Sequence, residues 1–300
     1  MASVVNRIVD RKLASPPKWL ATNVHYETIM GSVAYGVSSD TSDMDVYGFC
    51  IPKKEEVFPH LAGKSVGFGK QQKPWAQWQE HHINDDEAGK EYDVVIYSIV
   101  KYFQLCMENN PNMIDSMFTP AECVLHTTKV GQMVRENRHL FLSKKSWHSF
   151  KGYAHAQLHK AEIKNPKPGS KRYENFQKYG WDVKFGYHVV RLINEAEQIL
   201  SECDLDLRRN REHLKAIRRG EETFEDTKKW FTEKELSLQK LYESSSLRYS
   251  ADEEQIKQLL LDCLEEHYGS LDKVIINPDR ATVALKEIQS VIDKHSDLLG

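Results

Sequence analysis

The chain has 300 residues, of which 28% are charged and 40% hydrophobic, and its formal net charge is −3. These values are typical of an ordinary globular protein and exclude a fibrous, a disordered or a histone-like chain. No apolar run approaches the roughly 18 residues of a membrane span, and charges interrupt the N-terminal segment where a secretion signal would need its apolar stretch. The five cysteines are scattered and odd in number, which favours reduced thiols and a cytoplasmic location.

Runs of β-branched and aromatic residues bounded by Gly or Pro predict three strands. They lie at 24–30, 43–51 and 92–99. After the first strand, "SVAYGV" predicts a turn that enters a short helix with Ser32 as its cap. Residues 53–90 lack periodicity and predict an irregular insertion. His81 and His82 lie within it, and we expect them in a surface loop because adjacent histidines do not readily converge on a metal.

From residue 99 onward, apolar residues recur at helical spacing. Helices are predicted at 99–109, 128–141, 146–163, 181–200, 225–242, 252–267 and 281–299. Prolines and a glycine in "KNPKPGSKRY" predict a loop between the third and fourth of them. The fold class expected is α+β. A small mixed-sheet domain over residues 1–122, with an insertion at about 53–90, precedes an all-helical domain over 123–300.

Asp43 and Asp45 stand one residue apart at the start of the second predicted strand. Side chains at i and i+2 of a strand face the same way, so the two carboxylates project together and need a cation between them. If the third strand lies beside this one, Asp93 presents a third carboxylate to the same place. Carboxylate oxygens suit Mg²⁺ or Mn²⁺, and three acids predict a site for two ions. Glu91 is an alternative third acid.

Gly31 and Ser32 lie where the first strand turns into the short helix. Glycine lets main-chain N–H groups approach a phosphate, and the serine hydroxyl adds a donor. A phosphate-binding turn beside a metal-binding pair is suited to moving a nucleotidyl or phosphoryl group from a triphosphate. Tyr35 follows closely, and it is predicted either to stack on a base or sugar or to pack in the core.

Residues 144–191 contain eleven Lys or Arg but only three Asp or Glu. This basic segment predicts a surface for a triphosphate or a nucleic acid, and the alternative is a solvated helical face. The candidate nucleic-acid contacts are Lys164, Lys167, Lys171 and Arg172.

One face of the helix predicted at 181–200 carries Lys184, His188 and Arg191, which follow one another at i, i+4 and i+7. These side chains are candidates for contact with the triphosphate or the base. Alternatively, they form a polar stripe at the contact between the two predicted domains.

The motifs "GSVAYG" and "SDMD" resemble the Gly-Ser…Asp-x-Asp signature of the DNA polymerase β-like nucleotidyltransferase superfamily. "YDVVIYSIVKYFQLCMENNPNMIDSMF" and "KFGYHVVRLI" are similar to one branch, the predicted RNA-repair-associated nucleotidyltransferases, which also occur in bacteriophages. The ordered set of strand, Gly-Ser, Asp-x-Asp and later strand acid is more specific than any of its parts. The resemblance covers much of residues 28–120 and then 180–200.

The resemblance implies a polymerase β-like palm domain and an enzyme that transfers a nucleoside monophosphate from a nucleoside triphosphate to a hydroxyl group, releasing pyrophosphate. It implies that Gly31 and Ser32 bind the triphosphate and that Asp43 and Asp45 hold Mg²⁺ or Mn²⁺. Asp93 would be the third acid, a metal ligand and the base for the acceptor hydroxyl. His188 and Arg191 are favoured as nucleotide contacts.

The acceptor is left open by the sequence. The basic segment favours an RNA end, such as a damaged or processed tRNA. A protein hydroxyl, as in the nucleotidylating antitoxins of the same superfamily, is an alternative. A regulator that binds nucleotide or nucleic acid without turnover is the second class of hypothesis.

Overall fold

The computed structural model describes residues 3–38, 44–58, 73–163, 166, 168–169, 171–270 and 280–295. Its five strands form one mixed sheet in the order β3-β4-β2-β1-β5, in which β2 and β4 run parallel and the other neighbours run antiparallel. The strands are β1 Val24–Ile29, β2 Met44–Cys50, β3 Gln77–Asp85, β4 Lys90–Ser98 and β5 Val124–Thr127.

Helices account for most of the remaining described residues, so the fold is of the expected α+β class. None of the described helices is long and apolar enough to cross a membrane. The helices are α1 Val4–Asp10, α2 Leu20–Asn23, α3 Gly31–Ala34, α4 Lys54–Val57, α5 Ile99–Met107, α6 Pro111–Phe118, α7 Lys129–Glu136, α8 Lys145–Ile163, α9 Lys171–Tyr179, α10 Val183–Glu202, α11 Arg211–Arg218, α12 Phe224–Ser244, α13 Glu253–Tyr268 and α14 Arg280–Lys294. Two short 3₁₀ turns lie at Ala121–Cys123 and Arg138–Phe141.

The sheet is covered on both faces, and strand alternation assigns each side chain to one of them. Val46 and Val94 belong to a smaller core with α1, whereas Phe49 and Tyr26 belong to a larger core with the helices that follow β4. The Val-Val-Ile run of β4 is buried throughout, as its sequence predicts. Residues 45, 47 and 49 of β2 therefore face the helical side of the sheet, together with 93, 95 and 97 of β4.

Helix α10 is the centre of the larger core and corresponds to the helix predicted at 181–200. Asp182 caps its N-terminus by accepting a hydrogen bond from Lys184 N at 3.0 Å. The helix packs against α8, α11 and α12, and its buried side chains lie on every face along much of its length. Polar groups on α10 are therefore drawn into the interior, where each needs a partner.

Two strands differ from the sequence-based expectation. β3 occupies part of the segment predicted to be an irregular insertion, of which residues 59–72 lie outside the described residues. β5 begins after the predicted domain boundary at residue 122 and pairs with β1, so the sheet extends past that boundary. The division into domains over 1–122 and 123–300 stays a prediction.

Candidate active site

The glycine-serine turn begins directly at the end of β1, and its backbone requires glycine. Gly31 has a φ of +65°, in the left-handed region that other residues rarely adopt. Met30 N donates a main-chain hydrogen bond to Asp45 O at 2.7 Å, which fixes the turn against the start of β2. Ser32 is not the helix cap as predicted, because α3 begins one residue earlier, at Gly31, after Met30.

Asp45 lies beside this turn. A Cβ placed on Gly31 would overlap Oδ2 of Asp45, so the missing side chain at Gly31 leaves the space that the carboxylate occupies. Asp93 is the direct partner of Asp45 across the parallel pair β2 and β4, and both side chains are half-buried. The expected juxtaposition of Gly31, Asp45 and Asp93 is therefore present in the fold.

Several predicted site residues cannot be placed. Asp43, the first acid of the Asp-x-Asp motif, lies outside the described residues. The same is true of Lys164 and Lys167 in the basic segment. Lys171 begins α9, but its side chain lies outside the described part of the structure.

His81 and His82 were expected in a surface loop, and that prediction is wrong. Both residues belong to β3, at a bulge where the pairing with β4 shifts between Glu80 and Ile83. His82 N donates a hydrogen bond to Oδ1 of Asp93 at 2.9 Å, and His81 Nδ1 lies 3.3 Å from Oδ2 of the same carboxylate. The bulge brings both histidines to the acid because it breaks the two-residue alternation of the strand.

Glu91, the alternative third acid, also belongs to this group. It lies two residues before Asp93 on β4, and its Oε1 is in contact with Nδ1 of His82. Asp93, in contrast, is the acid directly opposite Asp45. The pairing register therefore favours Asp93 as the partner of Asp45, with Glu91 on the β3 side of the site.

Two tyrosines extend the same face of the sheet beyond the acids. The rings of Tyr47 and Tyr97 meet edge to face, with their centroids 6.5 Å apart. Burial, reinforced by Tyr97 and then by Asp45, raises the pKa of Tyr47, and burial raises the pKa of Tyr97. Both phenols therefore keep their protons at neutral pH and offer O–H donors beside the carboxylates.

Tyr35 and Arg191 are part of a buried ionic cluster. Tyr35 donates to Oδ2 of Asp115 at 2.8 Å, and Arg191 contacts the same oxygen and both carboxylate oxygens of Glu195. The guanidinium carbon of Arg191 also lies 4.3 Å from the centroid of the Tyr35 ring. Arg191 is 3% exposed and Tyr35 2%, so in this structure both residues hold the glycine-serine turn against α6 and α10. Their direct contact with a nucleotide stays a prediction.

The cluster joins one cation to two carboxylates in the interior. Burial raises the pKa of Asp115 and of Glu195, against the opposing effect of the neighbouring Arg191. The carboxylates in turn keep the pKa of Arg191 well above its ordinary value, despite its burial. The arginine is therefore charged, and removing it would leave two buried acids without their cation.

Lys184 and His188 lie on α10 with different surroundings. Lys184 is exposed, whereas the His188 ring packs against Tyr187 with the centroids 4.2 Å apart. Burial, together with Arg191 and Lys184, lowers the pKa of His188 well below its ordinary value, so the imidazole is neutral at neutral pH. A neutral imidazole offers one hydrogen-bond donor and one acceptor. The predicted contact of His188 with a nucleotide would therefore be a hydrogen bond from an uncharged ring.

Two arginines missed by the sequence reasoning hold the segment that follows the glycine-serine pair. Arg208 donates from Nε to Ala34 O at 3.2 Å and from Nη2 to Val33 O at 3.3 Å, and Arg218 donates to Val37 O. These arginines satisfy main-chain carbonyls at and after the end of α3. The only signal in the sequence is the arginine density of residues 208–219, which does not indicate which segment they contact.

The acids and the turn fit a hard divalent cation. Asp45 and Asp93 supply carboxylate oxygens from neighbouring strands, and such oxygens are the ligands that Mg²⁺ and Mn²⁺ prefer. Both side chains are half-buried on the same face of the sheet, and the absence of a Cβ at residue 31 lets the carboxylate of Asp45 lie against the glycine-serine turn. The donor set and its surroundings suit a metal-bound triphosphate.

A mixed sheet that presents acids from two neighbouring strands beside a glycine-serine turn matches the arrangement expected for a nucleotidyltransferase of the DNA polymerase β type. A family model described as the RNA repair pathway DNA polymerase beta family (RlaP) matches residues 5–262. The chain belongs to this family, and it is therefore a nucleotidyltransferase of an RNA repair pathway.

Curated proteins gave no significant match. Among solved structures, the chain is similar to the crystal structure of a nucleotidyltransferase-like protein from Exiguobacterium sibiricum 255-15. The two are 10% identical with a TM-score of 0.28, and the match covers 98% of this chain and 90% of the other.

Proposed function

We propose that this protein transfers a nucleoside monophosphate from a nucleoside triphosphate to a hydroxyl group of RNA, with release of pyrophosphate. The observation that carries the proposal is the position of Asp45, which lies directly opposite Asp93 and against Gly31. Two acids and the glycine-serine turn are thereby gathered within one small part of the sheet. The family membership supports the same reaction class.

Asp45 and Asp93 would hold Mg²⁺ or Mn²⁺, with Asp43 as a further ligand and two ions in all. When bound there, such ions would supply positive charge that stabilises the negative charge developing as pyrophosphate leaves. Gly31 would let the turn lie against the Asp45 carboxylate, and the Ser32 hydroxyl and nearby main-chain N–H groups would donate hydrogen bonds to the triphosphate. These groups orient the α-phosphate for in-line attack.

We infer that Asp93 would act on the acceptor hydroxyl. Its Oδ1 accepts a hydrogen bond from His82 N, which fixes the orientation of the carboxylate. A carboxylate held in this way would accept the proton of the attacking hydroxyl. The protonated phenols of Tyr47 and Tyr97 continue the same face and would donate hydrogen bonds to a sugar or phosphate oxygen.

The basic segment supports RNA as the acceptor. Within the described structure, Lys160, Lys178 and Lys184 are exposed and take part in no ion pair, so their charges remain available. Arg172 lies 3.9 Å from Asp182 and stacks over Phe185 at 4.8 Å, which leaves its planar group at the surface of the same segment. Such cations contact phosphates independently of base sequence.

The proposal is tested by incubating the full chain with α-labelled nucleoside triphosphates, Mg²⁺ and RNA that ends in a 3′-hydroxyl. We expect label on the RNA and stoichiometric pyrophosphate, and no transfer to RNA that lacks the terminal hydroxyls. Asp45→Asn and Asp93→Asn should each reduce transfer by at least about a hundredfold, since each removes a charge that acts in the transition state.

Asp86→Asn is the matched control, because Asp86 is an exposed carboxylate in the turn between β3 and β4. It should retain full activity. Label retained by the protein without pyrophosphate release would overturn the transfer reaction in favour of a nucleotide-binding regulator. Label attached covalently to a protein would overturn RNA as the acceptor.

A further inference from the structure

We propose that His82, Glu91 and Asp93 form a binding site for a divalent transition-metal ion such as Zn²⁺, on the β3 side of the two facing acids. One ligand atom from each of these residues lies within 4.8 Å of the other two. The set contains an imidazole nitrogen and two carboxylate oxygens, a combination that binds Zn²⁺ in proteins. Asp93 would also belong to the pair of facing acids, Asp45 and Asp93, of the proposed transfer site. His82 and Glu91 would belong to the Zn²⁺ site alone.

The sheet order determines how the two sites lie relative to one another. β4 is flanked by β3 on one side and by β2 on the other, so Asp93 has the histidines of the bulge on one side and Asp45 on the other. Glu91 is two residues before Asp93 and therefore projects from the same face of β4. Each oxygen of an ionised carboxylate has more than one lone pair, so Asp93 can accept the hydrogen bond from His82 N and still bind an ion.

The bulge in β3 makes the convergence of the ligands possible. In regular pairing, His81 and His82 would point to opposite faces of the sheet. Here the register shifts between Glu80 and Ile83, and His82 Nδ1 contacts Glu91 while His81 Nδ1 lies 3.3 Å from Oδ2 of Asp93. His81 therefore borders the site through Asp93, whereas the three converging ligand atoms come from His82, Glu91 and Asp93.

The ligand chemistry distinguishes this site from the catalytic one. Mg²⁺ demands octahedral oxygen coordination, whereas imidazole favours Zn²⁺, Co²⁺ and Ni²⁺. The side chain of His82 is 80% exposed, that of Glu91 36% and that of Asp93 27%, so an ion from solvent has direct access. Three protein ligands leave a coordination position for water or for an oxygen of a substrate.

The site is tested on the full chain after removal of bound metal, by calorimetric titration with Zn²⁺ and by absorption spectroscopy with Co²⁺. We expect one ion that an excess of Mg²⁺ does not displace. The double variant His82→Ala, Glu91→Gln should weaken Zn²⁺ binding by at least about tenfold, because even the loss of an outer-shell partner costs that much. His159→Ala, which removes an exposed histidine of α8, should leave the affinity unchanged.

Asp45→Asn separates this proposal from the proposed function. The variant removes Asp45 and none of the three proposed Zn²⁺ ligands, so it should reduce transfer by at least about a hundredfold and retain Zn²⁺ binding. If Asp45→Asn lost Zn²⁺ while the double variant kept it, the ion would belong to the catalytic pair and the proposal would be wrong. X-ray absorption of the Zn²⁺ form should show at least one imidazole ligand, and a shell of oxygen alone would equally contradict it.

Discussion

The hydroxyl of Tyr35 donates a hydrogen bond to Oδ2 of Asp115, 2.8 Å away, and Arg191 contacts the same oxygen. One carboxylate oxygen therefore connects the segment after the glycine-serine pair to α6 and to α10. All three side chains are buried. The position of the candidate phosphate-binding turn thus depends on an ionic cluster in the protein interior.

Replacing Arg191 with Met should lower the free energy of unfolding by about 3–5 kcal/mol, because Asp115 and Glu195 would remain buried without their cation. Urea denaturation followed by circular dichroism measures the change. Arg209→Met is the matched control, since Arg209 pairs with Glu202 at the surface, and it should alter stability little. Equal effects of the two substitutions would show that the buried cluster does not stabilise the fold.

Gly31→Ala should abolish nucleotidyl transfer while the protein stays folded. The added methyl group would displace the carboxylate of Asp45, and the left-handed backbone would add a strain of about 1 kcal/mol. Gly89→Ala isolates the strain, because Gly89 has a φ of +59° and its added Cβ would meet no atom within 4 Å. Transfer assays and thermal unfolding should show a similar small loss of stability in both variants and loss of activity only in the first.

Arg208→Met should reduce the rate of transfer about tenfold, because the carbonyls of Val33 and Ala34 lose charged donors worth about 1.5 kcal/mol and the segment becomes less well positioned. The measurement is steady-state kinetics with the triphosphate as the varied substrate. Arg219→Met removes an exposed arginine paired with Glu221, and it should retain normal kinetics. Equal rates for both variants would show that Arg208 does not position the turn.

Acid should destabilise the protein through His25. This residue lies on β1, with Nε2 2.9 Å from Nδ1 of His267 and Nδ1 2.7 Å from the Thr128 hydroxyl. Burial, followed by His267 and His126, lowers the pKa of His25 from 6.5 to about 3. Between these two values the unfolded chain binds a proton that the folded chain does not bind. Stability is therefore fully present above pH 6.5 and falls as the pH drops toward 3.

Between pH 6.5 and about 3, His25 changes the free energy of unfolding by up to about 1.4 kcal/mol per pH unit. Urea denaturation at a series of pH values should show a shallower slope for His25→Asn than for the unmodified protein. His159→Asn, which changes an exposed histidine, should leave the slope as it was. An unchanged slope in His25→Asn would mean that His25 titrates normally in the folded state.

The strands with clear apolar or aromatic patterns were predictable from the sequence. β1, β2 and β4 lie where their runs indicate, and α10 matches its helical periodicity within two residues at each end. β3 was not predictable because it is an edge strand, paired to β4 alone, and its exposed Gln, Glu and His side chains give no apolar alternation. β5 has only four residues and no buried side chain to give it a pattern.

The candidate site likewise has a part that was predictable from the sequence and a part that was not. The approach of Asp45 to Asp93 follows from strand periodicity once β2 and β4 are taken as neighbours. The position of His82 depends on a bulge, which shifts the register by one residue and leaves no mark in the composition of the strand. Arg208 contacts a turn more than 170 positions earlier in the chain, and only the folded structure brings them together.

The 2.7 Å hydrogen bond from Met30 N to Asp45 O uses main-chain atoms alone. This bond therefore ties the start of the candidate phosphate-binding turn to the strand that carries Asp45 without using a side chain. A substitution that changes only the side chain at either residue, proline at residue 30 excepted, would leave this link in place.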